Sequence, residues 1–314
     1  MSEIICNNEG NIWESSEMRF GPFKMLPSLK FELLESDIKK GFSEDKIVLE
    51  YGCGIGVYIE ELSKSMNNNK YFGTDISRIE IKDVAKKNTR VKYFISDAMS
   101  MPLKDSSVDV LLFLDFIEHL DEPEKVFNEA KRILKDDGII HLDVPIEGNK
   151  STIFWIFTKI FRKNLQKRYC RHVHSYSLND VKNLLHKQQF KITNFNYHRH
   201  FIGQLAQFSF FFAKFFKDLL SIKENYVKII GIDKSFVAGL KEEYSERKNK
   251  EKLELNNLLS FKFYLRKIYY LFRIFQNLLL VAAYCESKIL KNFSFVFSKI
   301  SARVVKTNSQ SNIR

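Results

Sequence analysis

Between residues 46 and 145, short apolar runs alternate with longer segments whose apolar residues recur at helical intervals. KIVLEYG (46–52) is a β-rich run that stops at glycine, and GVYIEELSKSM (56–66) has helical spacing. KYFGTD (70–75) predicts a second strand, SRIEIKDVAKKN (77–88) a helix that Ser77 can cap, and VKYFISDA (91–98) a third strand. VDVLLFLDF (108–116) is almost continuously apolar, as a central strand covered on both faces must be. PEKVFNEAKRILKDDG (123–138) predicts a helix with Pro123 near its start, Lys and Arg late, and Gly138 after its end; GIIHLDVP (138–145) is the next strand. This alternation predicts an α/β fold, a parallel sheet with helices on both sides.

After Pro145 the rhythm breaks. SLNDVKNLLHKQQFKITNFNY (177–197) still reads as helix then strand, and SKISARVVKTN (298–308) offers a last strand over 301–306. The expected organisation is an N-terminal cap (1–44), a core of 45–197 plus 299–307, and an inserted helical subdomain over 198–298. The insertion is rich in Phe and Lys. On a helical wheel Phe261, Leu265, Ile268, Phe272, Phe275, Leu279, Ala282 and Ala283 share one face of 258–285, with Lys262, Arg266 and Arg273 on the other. Residues 201–220 behave alike, with Phe201, Leu205, Phe208, Phe212, Phe215 and Leu219 in line, and STIFWIFTKIFRKNLQKR (151–168) adds a third such stretch with Trp155 as an anchor.

Charge sharpens this division. The 314 residues carry a net +12, but residues 1–150 hold 20 Lys/Arg against 28 Asp/Glu, a net −8, and residues 151–314 hold 30 against 10, a net +20. Continuous apolar stripes with basic flanks suit an anionic membrane surface. RNA is the rival partner, and it is disfavoured because RNA readers expose single aromatics amid Arg and Gly. The charge-free stretches near 201–213 and 274–285 fall short of the ~18 apolar residues a spanning helix needs. The four cysteines, Cys6, Cys53, Cys170 and Cys285, show no CxxC spacing, which fits a reducing cytosol and supports no metal cluster. The opening MSEIICNNEGNIWESSEM lacks the basic-then-apolar pattern of a signal peptide.

The candidate chemistry lies at the strand ends. VLEYGCGIG (48–56) places Gly52, Gly54 and Gly56 at alternate positions after a strand, where backbone amides can approach a ligand. The third glycine comes one residue too early for the dinucleotide fingerprint, and Glu50 would repel a pyrophosphate but tolerate a ligand with a positive amino-acid end. Asp75, roughly 20 residues on, stands where an acid can bind ribose hydroxyls. Asp97 and Asp115 end the next two strands of this series.

Taken in order, VLEYGCGIG, YFGTDIS and ISDAMSMPLKDSSVDVLLFLDFIEHLDEPEKVFNEAKRILKDDGIIHLDVP resemble the class I S-adenosylmethionine-dependent methyltransferases, close to the group that includes the quinone-biosynthesis enzymes. The resemblance covers about residues 45–145, and more weakly 172–196. It implies a Rossmann-like seven-stranded methyltransferase sheet with the amphipathic helical subdomain inserted. It further implies that S-adenosylmethionine is the cofactor. Glu50 and the amides around Gly52, Cys53, Gly54 and Gly56 would face its methionine part, Asp75 the ribose, Ile76 the adenine, Asp97 with Ala98 the adenine amino group and ring, and Phe113 to Asp115 the sulfonium and acceptor side. On the acceptor side, EHL (118–120) offers His119, and RHVHSYS (171–177) offers His172, His174 and Tyr176 to bind or deprotonate the acceptor. The alternative keeps Ser177 as a helix cap and the histidines as local packing. Methyl transfer needs little beyond alignment, since the sulfonium is already activated; a base matters for a hydroxyl or acidic carbon, and histidine suits that role. The expectation is a methyltransferase peripheral to the cytoplasmic membrane face, acting on a lipid or lipid-linked acceptor (a quinone precursor, polyprenyl lipid or glycan intermediate), with oxygen preferred as the methylated atom. A soluble small-molecule or RNA methyltransferase with a closed helical cap is the alternative.

Overall fold

The computed structural model describes residues 29–41, 45–66, 68–86, 90–161, 170–209, 275, 278–293, 297 and 299–307. Seven strands form one sheet: β1 (Ile47–Tyr51), β2 (Lys70–Asp75), β3 (Val91–Ile95), β4 (Val108–Leu114), β5 (Leu134–Pro145), β6 (Phe190–His198) and β7 (Lys299–Lys306). Their order is β3-β2-β1-β4-β5-β7-β6. The pairings from β3 through β5 are parallel, and β7 runs antiparallel to both of its neighbours. The helices are α1 (Leu29–Gly41), α2 (Val57–Ser65), α3 (Arg78–Ala85), α4 (Pro123–Ile133), α5 (Ile153–Phe161) and α6 (Leu178–Lys187), with a 3₁₀ turn at Ile117–His119. The architecture is a Rossmann-like α/β sheet.

Every residue of β4 is buried, which accounts for a run that is apolar except at Asp109. Leu111 and Phe113 enter one hydrophobic cluster with α4, and Val110, Leu112 and Leu114 enter another with α1 and α2, so successive side chains feed opposite faces. Ser77 caps α3 by accepting from the Glu80 amide, and Ser177 forms a reciprocal capping box with Asp180 on α6.

One boundary differs from expectation. Helix α4 stops at Ile133 rather than running towards Gly138, and Leu134 turns extended to begin β5. Leu134 pairs with Val108, the next register contact joins Val110 to Ile139, and a Cβ on Gly138 would stand 2.7 Å from the Leu134 side chain. Burying Leu134 in the sheet overrides the helical preference of LKDD, and the surplus residues are taken up as an irregularity in the strand.

Strand β6 ends at His198 and β7 starts at Lys299. The chain divides into two compact units, 1–204 with 282–314, and 205–281. Of the second, only 205–209, 275 and 278–281 are described. Most of the 198–298 segment, and the basic stretch 162–169, lie outside the described residues. Within the first unit, α5 leaves Ile156 and Ile160 exposed, and Lys159 lies 5.5 Å from the ring centroid of Trp155. No helix among the described residues is long and apolar enough to cross a membrane.

Candidate active site

The carboxyl ends of β1, β2, β3 and β4 meet at one edge of the sheet, where open α/β sheets hold ligands. The loop leaving β1 there has Gly52, Gly54 and Gly56 at φ +63°, +50° and +75°. The three glycines are needed for different reasons. A Cβ on Gly52 would meet the Phe116 ring at 2.5 Å, and one on Gly56 would meet the Tyr93 hydroxyl at 2.3 Å. At Gly54 the nearest atom is Glu80 Oε2 at 3.6 Å. Gly52 and Gly56 are thus required by the protein's own packing, whereas a Cβ on Gly54 would make only ordinary van der Waals contact with Glu80.

Two acids brace this loop. Asp75 accepts from the Gly54 amide and the Ser77 amide, each at 2.9 Å, so it supports the loop from the end of β2. Glu50 is buried and accepts from the Ile59 amide at 3.1 Å. Burial pushes its carboxyl up to about 8, against the opposing pull of Lys30 and the Ile59 amide. Cys53 is buried, and its thiol is pushed far up by burial and then by Glu50, which leaves it inert. Asp97 is exposed and accepts from the Met99 amide, Ala98 is half-buried beside the core, and Ile76 is exposed beyond β2. These three share the edge with Asp75, since Ser96 donates its amide to the Asp75 carbonyl. Phe113 does not line the site: its ring is fully buried against Tyr51, Phe116 and Phe127.

The Glu50 result sets a pH dependence. A folded value near 8 against an ordinary 4.5 means that the carboxyl stays protonated on folding. The associated stability is fully present below about 4.5 and is lost as pH rises through about 8, by at most ~1.4 kcal/mol per pH unit. Urea unfolding across this window should show the wild type losing stability faster than Glu50→Gln, because other raised carboxyls such as Glu118 are common to both. Parallel curves for the two proteins would contradict the protonated Glu50.

Beside β4 lies a buried ionic network that sequence spacing did not disclose. Asp115, at φ +52°, accepts from Lys30 of α1 at 2.7 Å and from Lys299 at the start of β7. Asp143 of β5 lies 3.2 Å from Lys30 and 3.1 Å from Lys299, and it also pairs with His198 at 2.7 Å and Ser301 at 2.7 Å. Burial alone would raise Asp143; Lys30 and then His198 outweigh it and hold the carboxylate far below its usual range. Lys30 fell in the segment expected only to cap the fold, and Lys299 lies beyond the insertion, so nothing in the local pattern linked them to Asp115.

The acceptor-side candidates do come together. Val173 and His174 donate their amides to the Glu118 carbonyl at 2.9 and 3.1 Å, which ties the 171–176 loop to the 3₁₀ turn. The His119 and His172 rings pack edge to face at 4.9 Å, and those of His174 and Tyr176 lie 5.4 Å apart. His172 Nδ1 is 2.8 Å from Glu147 Oε1, at bonding distance but out of line for a full hydrogen bond. Both Glu118 oxygens, His174 Nε2 and the Tyr176 hydroxyl are buried without a hydrogen-bond partner. Burial, with Glu147 and Asp143 adding to it, pushes Glu118 up to about 8, and burial and then His172 push His119 down to about 4.

Comparison with known proteins bears on this edge. Residues 49–142 match the family model described as a methyltransferase domain. An uncharacterized protein of Methanocaldococcus jannaschii is 30% identical over 145 residues, 46% of this chain and 52% of that protein. The ubiquinone biosynthesis O-methyltransferase of Hydrogenovibrio crunogenus is 24% identical over 159 residues, 48% of this chain and 63% of that enzyme. The chain thus spans between half and two thirds of the length of these relatives. The crystal structure of a SAM-dependent methyltransferase from Aquifex aeolicus superposes with a TM-score of 0.43 at 20% identity, over 54% of this chain and 83% of the other. Residues 49–142, with the glycine loop and the acids that brace it, are a methyltransferase domain of the class I, S-adenosylmethionine-dependent kind.

Proposed function

We propose that this chain binds S-adenosylmethionine across the carboxyl ends of β1 to β4 and transfers its methyl group to an oxygen of a lipid or lipid-linked acceptor at a membrane surface. The observation that carries the cofactor assignment is the glycine loop, where Phe116 and Tyr93 pack too close to Gly52 and Gly56 for any side chain while Gly54 meets only ordinary contact with Glu80. Bound there, the cofactor supplies an activated methyl group on a sulfonium. Glu50 and the glycine loop that follows β1 border its methionine part, with Lys30 close enough to Glu50 to bias it. Asp75 takes the ribose, Ile76 and Asp97 with Ala98 take the adenine, and Asp115 faces the sulfonium side. His119, His172, His174 and Tyr176 bind and orient the acceptor.

Two observations support the acceptor class. The acceptor side is lined by carboxyls, imidazoles and a phenol, which suits a polar, oxygen-bearing head group and not a bare hydrocarbon. The ubiquinone biosynthesis O-methyltransferases among the relatives fit that description. Membrane contact rests on the +20 net charge of residues 151–314 and on the exposed Ile156 and Ile160 of α5.

Calorimetry with S-adenosylmethionine should give one site per chain, and no binding would remove the cofactor assignment. In flotation assays the protein should rise with vesicles containing anionic lipid and remain below with zwitterionic ones. Lipid extracts from cells with and without the protein should differ by a species heavier by one CH₂ group. A protein that binds the cofactor, ignores both vesicle types and leaves the lipids unchanged would point to the soluble alternative with a closed cap.

A further inference from the structure

We propose that, given the membrane contact proposed for this chain, the surface that makes it is the sheet edge where β4, β5 and β6 end and β7 begins, set edge-on against a bilayer containing anionic lipid. Among the described residues, Ile156, Ile160, Val173, Phe201, Ile289 and Phe293 are large apolar side chains exposed on the segments that meet there. Ile289 is 74% exposed and Phe293 60%, too much for residues that merely border a core.

Topology gathers them. Helix α5 follows the carboxyl end of β5, and Phe201 follows that of β6. The Val173 amide bonds to the Glu118 carbonyl, just past β4. Ile289 and Phe293 lead into β7, whose first residue, Lys299, pairs with Pro145 at the end of β5 and with His198 at the end of β6. Hydrogen bonds then join three of these connections. The Ile153 amide donates to the Gln204 side chain at 2.7 Å, the Ile202 and Gly203 amides donate to Glu286 at 2.9 and 3.1 Å, and the Tyr197 amide donates to the Lys291 carbonyl at 2.7 Å. At the opposite edge of the sheet, the described residues of the connections into β2 to β6 expose no large apolar side chain. Singly exposed apolar residues are ordinary, but their confinement to one edge marks a docking surface.

Charge selects the occupant. Residues 150–161, 171–176, 199–204 and 282–293 carry Lys150, Lys159, Arg171, Arg199, Lys288 and Lys291 against one acid, Glu286. That acid is already engaged by the amides at the start of the helix that begins at Phe201. A second copy meeting the same face would set like charges against each other, whereas an anionic bilayer complements them and takes up the apolar tips. The orientation has a consequence for the reaction. Val173 stands between His172 and His174, so a lipid-linked head group would reach the acceptor-side residues while its chain stays in the bilayer. The opposite edge, with the exposed Asp136, would face water.

Cys285 is exposed one turn before Ile289 and offers a natural attachment point for an environment-sensitive fluorophore. The test uses the full chain carrying Cys6→Ser and Cys170→Ser, with the buried Cys53 left in place. A control carries the probe on Asp136→Cys at the opposite edge, with Cys285→Ser added. With phosphatidylcholine vesicles that contain phosphatidylglycerol, the probe at 285 should brighten and shift to the blue, and the probe at 136 should not. Phosphatidylcholine alone should move neither. Ile289→Glu combined with Phe293→Glu should weaken partitioning into the anionic vesicles about tenfold or more, with S-adenosylmethionine affinity and circular dichroism unchanged. A shift at 136 instead of 285, or undiminished binding by the double variant, would overturn this face and leave membrane contact standing through another. Absence of wild-type binding to either vesicle would overturn both. Self-association that the double variant abolishes, without vesicle binding, would assign the surface to a second copy and overturn the proposal as well.

Discussion

Gly54→Val abolishes cofactor binding in a protein that still folds. At φ +50° a residue with a Cβ costs roughly 1–2 kcal/mol, and a β-branched one more, so some stability is lost. The larger effect falls on the ligand. A Cβ at Gly54 would touch Glu80 at 3.6 Å without clashing, so valine adds its bulk at the loop, where the proposed cofactor would lie. A loss of about a hundredfold or more in affinity, about 2.8 kcal/mol, is expected by calorimetry, with circular dichroism little changed. Gly52→Val and Gly56→Val should act in the reverse order and damage folding first, because their Cβ atoms would strike Phe116 and Tyr93. Wild-type affinity in Gly54→Val would mean that the ligand lies elsewhere.

Asp143→Ala should be among the most destabilising single changes in the described structure. Asp143 is fully buried and is the partner that Lys30, Lys299, His198 and Ser301 share. Burial would lower Lys30, but Asp143, with Tyr58 adding to it, more than offsets that and holds the ammonium above its ordinary value. Without Asp143, a buried ammonium and a second buried lysine are left to Asp115 alone. Breaking such a pair by removing one partner costs ~3–5 kcal/mol. At roughly 2–4 °C per kcal/mol for a domain of this size, the melting temperature should fall by on the order of 10 °C. Lys30→Met should cost less, since Asp143 keeps its contacts with Lys299, His198 and Ser301. A fall of less than about 2 °C for Asp143→Ala would mean that the network contributes little to folding.

The order of elements was legible because each strand of the core is bounded by its own punctuation: glycine after β1, a serine cap after β2, and proline at the start of α4. Where the pattern misled, at 134–138, a tertiary contact won. Leu134 is needed opposite Val108, and that demand ended the helix early. The loop, Asp75 and Asp97 could be placed from sequence because a parallel sheet delivers the end of every strand to one edge. The bracing of Gly54 and Ser77 by Asp75 was not visible, because backbone amides leave no mark on residue type.

By itself the sequence determined the strand–helix alternation, the seven strands, the glycine loop with its acids, and the basic, phenylalanine-rich second half. All of these depend on periodicity, turn chemistry and composition, which are local properties of the chain. Tertiary structure alone decided which distant polar and charged groups meet. It brought Lys30 and Lys299 to Asp115 and Asp143, and it brought His172 and Glu147 to Glu118 and His119. The physical reason is that these neighbours are set by strand order and by two long connections, and neither pairing register nor burial of a charge is written in any window of adjacent residues.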